Sequence, residues 1–233
     1  MPELPEVETS RRGIEPHLHN RKISDVIIRQ HKLRWPIPKD LPSLATGQKI
    51  REVCRRAKYI YLKLDNGSII IHLGMSGSLR ICSGKTTPQK HDHIDIIVSG
   101  KKILRLRDPR KFGCVLWQPG DIDEHKLIAP LGPEPLHDEF DARYLHDRAS
   151  KRTCSIKSLI MNSHIVVGVG NIYASEALFR AGINPKRKAG NISLPRMQKP
   201  VSYTHLTLPT RSCQCSSRGG RGEWIGGGGG GGG

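Results

Sequence analysis

The chain has 233 residues, with 38 Lys and Arg against 21 Asp and Glu and a net charge of +17. That length suits one large or two modest domains with real cores. The basic surplus suits a polyanionic partner, nucleic acid ahead of membrane, because no basic amphipathic helix with a strong apolar face accompanies it. No apolar run reaches membrane-spanning length and no signal peptide precedes Pro2, so a cytoplasmic, monomeric protein without membrane contact is expected.

At the start of the chain, Leu4, Val7, Ile14 and Leu18 fall near helical spacing, so a helix begins just behind Pro2. With Met1 removed, Pro2 presents a secondary amine, a candidate nucleophile whose neutral form is favoured by the positive end of a helix. Glu3, with Glu6 and Glu8 close by, supplies carboxylates able to move protons beside it. Ordinary helix-start chemistry, Pro in the first turn and acids toward the dipole, accounts for the same residues.

Lys22–Arg29 and Lys49–Val53 read as strands, and Tyr59–Leu64 alternates with Ile60, Leu62 and Leu64 on one face. Asp65-Asn66-Gly67 then turns the chain into Ser68–Ile71, a hairpin. His72 to Arg80 leaves that strand as a Gly-rich turn. His93–Val98, Ser99-Gly100, Lys102–Leu106 and Phe112–Trp117 give a second hairpin and one more strand. Residues 1–130 therefore read as an antiparallel β-sandwich or flattened barrel with an N-terminal helix.

Three prolines in Pro130–Pro135 mark a domain boundary. Beyond it, Phe140–Ala149, Ile156–Asn162 and the stretch from Asn171 to Gly182 read as helices. His164–Gly170 forms a double turn between the last two, so residues 131–200 make a helix–two turns–helix unit, and the whole chain is α+β. Pro200 should interrupt a helix starting near Ser193. Residues 201–233, ending in a Gly run, have no periodicity and read as an aberrant, disordered tail.

Several segments carry candidate chemistry. Lys58 follows Arg55 and Arg56 at a strand start, where like charge should depress its pKa. Met75 sits at the tip of the Gly-rich loop. Asp108–Gly113 puts Arg110 and Phe112 on one tight turn, suited to reading a base edge and wedging a base step. Asn171 stands at a helix start, where backbone amides suit a phosphate. Lys90–His93 lacks a third ligand at metal spacing, and Cys213-Gln-Cys215 has no second pair, so no metal site is expected. Cys54, Cys82, Cys114 and Cys154 read as reduced, mostly buried thiols.

The opening octet Met-Pro-Glu-Leu-Pro-Glu-Val-Glu closely resembles the N-terminus of the formamidopyrimidine-DNA glycosylase and endonuclease VIII family. The likeness continues through Arg-Arg-Ala-Lys-Tyr, Lys-His-Asp-His, Asp-Pro-Arg-Lys-Phe-Gly and Gly-Val-Gly-Asn-Ile-Tyr-Ala-Ser-Glu, to about residue 199. It implies a base-excision repair enzyme that removes oxidised purines from damaged double-stranded DNA and then cuts the strand. Pro2, Glu3, Glu6 and Lys58 would be catalytic, with Lys58 a proton donor in elimination. His72, His91, Lys151, Lys157 and Asn171 would meet the DNA backbone. Met75 would fill the space of an everted nucleotide, Arg110 would read the opposite base and Phe112 would support the kink, which favours the formamidopyrimidine branch. The family's zinc finger of four cysteines has no counterpart in residues 201–233, so no cofactor is expected in this chain. A DNA-binding fragment without turnover is the alternative.

Overall fold

The computed structural model describes residues 2–207. Helix α1 (Leu4–Leu18) buries Leu4, Val7, Glu8, Arg11, Ile14 and Leu18, a face at helical spacing in which two positions carry a charge. Eight strands follow: β1 (Ile23–Ile28), β2 (Glu52–Arg56), β3 (Tyr59–Leu64), β4 (Gly67–His72), β5 (Ser78–Ser83), β6 (Asp92–Val98), β7 (Lys102–Arg107) and β8 (Cys114–Gln118), with a short helix α2 (Leu41–Ala45) between the first two. They form two antiparallel four-stranded sheets, ordered β1-β6-β7-β5 and β2-β3-β4-β8. Ile60, Leu62 and Leu64 of one sheet and Ile94, Ile96, Leu104 and Leu106 of the other share a single apolar cluster, which makes the pair a sandwich. Tyr61, on the opposite face of β3, packs with Cys54, Ile70, Ile122 and Ile128.

The β3–β4 hairpin pairs Tyr59 with His72 through Leu64 with Gly67, in the register that the alternation predicts. Two elements escaped the sequence. Ser78–Ser83, its first three residues read as the end of the Gly-rich turn, is the edge strand β5, paired with β7 across 19 to 29 residues. Its polar, half-exposed pattern takes strand form only through that non-local pairing. The five residues of α2 are too few to show a period.

A second apolar cluster, from Phe140 to Val201, is built by α3 (Ala142–Ala149), α4 (Ile156–Ile160), α5 (Asn171–Arg180) and α6 (Leu194–Thr207). Contrary to the sequence reading, α6 passes through Pro200. Buried Met197 and Val201 flank that proline and dock the helix, and tertiary packing outweighs the lost backbone donor. Residues 208–233, most of the expected tail, lie outside the described residues. Cys54 and Cys114 are buried, but Cys82 is half-buried and Cys154 exposed, so the thiols are less uniformly interior than expected. Among the described residues no helix is long and apolar enough to cross a membrane.

Candidate active site and DNA-reading loops

The chain terminus, the β2–β3 turn and the turn before α5 converge on three consecutive residues. The Leu4 N–H donates to the Gly168 carbonyl at 3.3 Å. Lys58 Nζ donates to the Val169 carbonyl at 3.4 Å. The Glu3 carboxylate accepts from the N–H of Gly170 (3.0 Å), Ile172 (3.0 Å) and Tyr173 (3.3 Å). Glu3, only 4% exposed, thus caps α5 from the far end of the chain, satisfying orphan donors and placing a negative charge at the positive end of that helix. Gly170 is the N-cap residue and Asn171 the first residue of the helix, the start position read from the sequence. The close approach requires glycine: a Cβ on Gly170 would lie 2.3 Å from the Glu3 carboxyl, and one on Gly168 would lie 2.2 Å from a Leu4 methyl.

Glu6 is exposed, and its carboxylate accepts the Glu3 N–H at 2.8 Å, closing the first turn of α1. Pro2, half-buried, stands immediately before this turn. Lys58 has a lowered pKa, but the arginines beside it in sequence are not the reason. Burial of its ammonium is the main cause, opposed by the carboxylates of Glu3 and Glu6. Arg55 and Arg56 turn away into a buried network: Arg55 binds Glu8 (3.1 Å) and Glu134 (2.8 Å), while Glu134 also takes Arg56 (3.0 Å) and the Ala57 N–H (2.7 Å). Ala57 itself is held at φ +53. The network, invisible as a motif, fixes the turn that carries Lys58.

His72 lines the same region, its ring 4.9 Å from that of Tyr59. Burial, with the charges of Arg34 and Lys58, pushes its pKa down to about 4. Its Nδ1 accepts the Gly74 N–H at 3.0 Å, so the proton sits on Nε2 and His72 is a neutral donor. Two titrations are expected by NMR. His72 should keep the Nε2–H tautomer down to about pH 4, and Lys58 should lose its proton below the 10.5 of a free lysine. A His72 resonance titrating near the ordinary 6.5 would contradict the geometry.

A second group gathers on two loops. Met75 (45% exposed) and Phe112 (44% exposed) stand out from residues 73–77 and 108–113, and the Arg110 guanidinium lies 4.7 Å from the Phe112 ring centre. His91, at φ +75, heads the strand beside them, its ring 6.3 Å from that of His93. Asp92 turns inward to the Gln89 N–H and Arg105, which dissolves any Lys90–His93 metal cluster. Among the described residues no three His, Cys, Asp or Glu side chains could hold a metal ion. Cys213 and Cys215 lie outside the described residues.

Lys151, Lys157 and Asn171 sit on the helical half. Lys151, exposed at φ +62, follows α3, and half-buried Lys157 lies on α4. Between them, α3 stops at Ala149 and α4 starts at Ile156.

An N-terminal segment bonded to the start of α5, beside a two-sheet sandwich with Met75 and Phe112 on exposed loops, is the architecture of a class of DNA glycosylases. Family comparison agrees: residues 1–115 match the formamidopyrimidine-DNA glycosylase N-terminal domain and residues 131–209 its H2TH domain. The chain belongs to the formamidopyrimidine-DNA glycosylase family, base-excision repair DNA glycosylases. It is 56% identical over 196 residues to the formamidopyrimidine-DNA glycosylase of Methylococcus capsulatus, covering 84% of this chain and 72% of that one. With the Thioalkalivibrio sulfidiphilus enzyme of the same name it shares 55% over 208 residues, 89% of this chain and 77% of that one. The Lactococcus lactis formamidopyrimidine-DNA glycosylase bound non-covalently to DNA containing an AP site superposes with a TM-score of 0.81 at 28% identity, covering 88% of this chain and 79% of that one. The complex of a mutant of that enzyme with a Fapy-dG containing DNA gives 0.82 at 29%, covering 88% and 76%.

Proposed function

We propose that this chain removes oxidised purines, 8-oxoguanine and formamidopyrimidines, from duplex DNA and cuts the strand at the site left behind. The supporting observation is the convergence of Glu3, Leu4 and Lys58 on residues 168–170, with Pro2 next to Glu3 in the chain. The damaged nucleotide is turned out of the stack, since its glycosidic carbon is unreachable inside it. With Met1 removed, the Pro2 nitrogen attacks that sugar carbon and the base leaves; the sugar's C1′–O4′ bond then breaks, the proton lost by the amine passes to O4′, and the ring-opened sugar is held as an iminium on the proline. Glu3, fixed by three amides, holds a carboxylate beside the developing cation. The iminium acidifies the neighbouring sugar C–H, and elimination expels the 3′ and then the 5′ phosphate. Burial makes Lys58 a readier proton donor than a solvated lysine. Met75 and Phe112 fill and prop the kinked duplex, Arg110 reads the base left opposite, and His72, His91, Lys151, Lys157 and Asn171 contact phosphates.

Borohydride quenching of the chain on an abasic duplex tests this reading. A covalent adduct with the sugar mapped to Pro2 by mass spectrometry is expected. A sugar on any other side chain refutes the nucleophile, and salt-sensitive binding without an adduct marks a DNA-binding protein instead.

A further inference from the structure

Asp108 is completely buried and every polar group it has is engaged, across three separate loops. Its Oδ1 accepts the Ser76 hydroxyl at 2.6 Å, reaching the loop of Met75. Its Oδ2 accepts the Gly113 N–H at 2.8 Å, closing the turn of Arg110 and Phe112. Its own N–H donates to the His91 carbonyl at 3.1 Å, and its carbonyl accepts from Nε2 of buried His93 at 2.8 Å. Ser76 completes the circuit, because its oxygen also accepts the Arg110 N–H at 3.3 Å. The backbones of the two wedge loops touch as well. A Cβ on Gly74 would fall 2.4 Å from the Phe112 carbonyl carbon, and one on Gly113 would fall 2.6 Å from the His72 carbonyl oxygen.

We propose that the Ser76–Asp108 pair is a positioning device that locks the Met75 loop to the Arg110–Phe112 turn, so that both wedges enter a duplex as one rigid body. The physical ground is the carboxylate. A buried acceptor bonded on both oxygens has one low-energy placement, and moving either loop alone strands a charged oxygen without a donor. Met75 and Phe112 are each nearly half exposed. Their relative placement therefore rests on the covered staple beneath them. That the wedges act on DNA rests on the function proposed above; the lock itself is a property of the free protein.

Ser76→Ala removes the hydroxyl while leaving Asp108 bound to Gly113, His91 and His93. Hydrogen exchange in the free variant should speed up about tenfold in both segments 73–77 and 108–113, with the sandwich strands unchanged, as expected for loss of the charge-assisted bond to Asp108 together with the weaker one from the Arg110 N–H. Ser76→Thr, which keeps the hydroxyl, should restore slow exchange. Unchanged exchange in Ser76→Ala, faster exchange in only one segment, or acceleration in Ser76→Thr equal to that of alanine each overturns the lock. The second readout needs no turnover: stopped-flow fluorescence of 2-aminopurine beside a tetrahydrofuran abasic analogue. The unsubstituted chain should unstack it in one phase and Ser76→Ala in two, the slower by about tenfold. A single unchanged phase in the variant refutes concerted entry. Failure of the unsubstituted chain to perturb the duplex at all refutes the proposed function instead and leaves the exchange result to decide the lock.

Discussion

Glu134→Ala is expected to destabilise the protein by about 3–5 kcal/mol, the cost of removing the carboxylate from the buried Arg55 guanidinium and the buried turn it braces. Glu134 is 5% exposed and Arg55 6% exposed, so water cannot take the place of the lost partner. Burial by itself would raise the Glu134 carboxyl. The charge of Arg55, the Ala57 N–H and the charge of Arg56 outweigh it and hold the carboxyl below its ordinary range. Glu8 behaves likewise: burial raises it, and bonds from Arg11 and Arg12 with the charge of Arg55 more than compensate. A carboxylate with a depressed folded pKa adds stability that is complete above its unfolded pKa of about 4.3 and is lost as pH falls through the folded value. His72 adds to the acid sensitivity, since the unfolded imidazole takes up a proton below 6.5 while the folded one resists until about 4. Urea denaturation between pH 8 and pH 4 should show stability declining below about pH 6.5 and more steeply below about 4.5, the second decline being weakened in Glu134→Ala. A loss under about 1 kcal/mol at pH 7 would mean that the network is not what secures the β2–β3 turn.

Gly170→Ala should reduce borohydride-trapped adduct by about a hundredfold or more, the scale of penalty that a misplacement of about 1 Å brings to an aligned reaction centre. The backbone at Gly170 is extended, with φ −117, so alanine meets no conformational strain there. The added methyl instead collides with the Glu3 carboxyl. Either Glu3 withdraws, leaving three N–H groups at the start of α5 without their acceptor, or the helix backs off and takes the Val169 carbonyl away from Lys58. Gly13→Ala is the matched control. A Cβ there meets nothing within 4 Å, and an exposed helical Gly→Ala change should stabilise by up to about 1 kcal/mol with no effect on trapping. Equal trapping by Gly170→Ala and Gly13→Ala would sink the role assigned to the Glu3 cap.

Local pattern determined a good deal of this protein. The stripe of Leu4, Val7, Ile14 and Leu18 gave the first helix and the alternation of β3 gave its hairpin, because a core-facing element shows its own period. The octet, the Asp108–Gly113 turn and the glycines before Asn171 carried the family, since each is a contiguous segment. What remained hidden was set by residues distant in the chain. Glu3 caps a helix whose N-cap residue lies 167 residues later, Glu134 braces a turn 77 residues earlier, and Asp108 meets Ser76 across 32 residues. None of these pairs has a period or a spacing to read. A carboxylate looks alike in sequence whether it is solvated, catalytic or spent on backbone amides, and only the folded chain decides, by burying it and supplying the donors. Lys58 illustrates the same limit: neighbours in sequence suggested repulsion, whereas in the fold those arginines point elsewhere and burial sets its proton affinity.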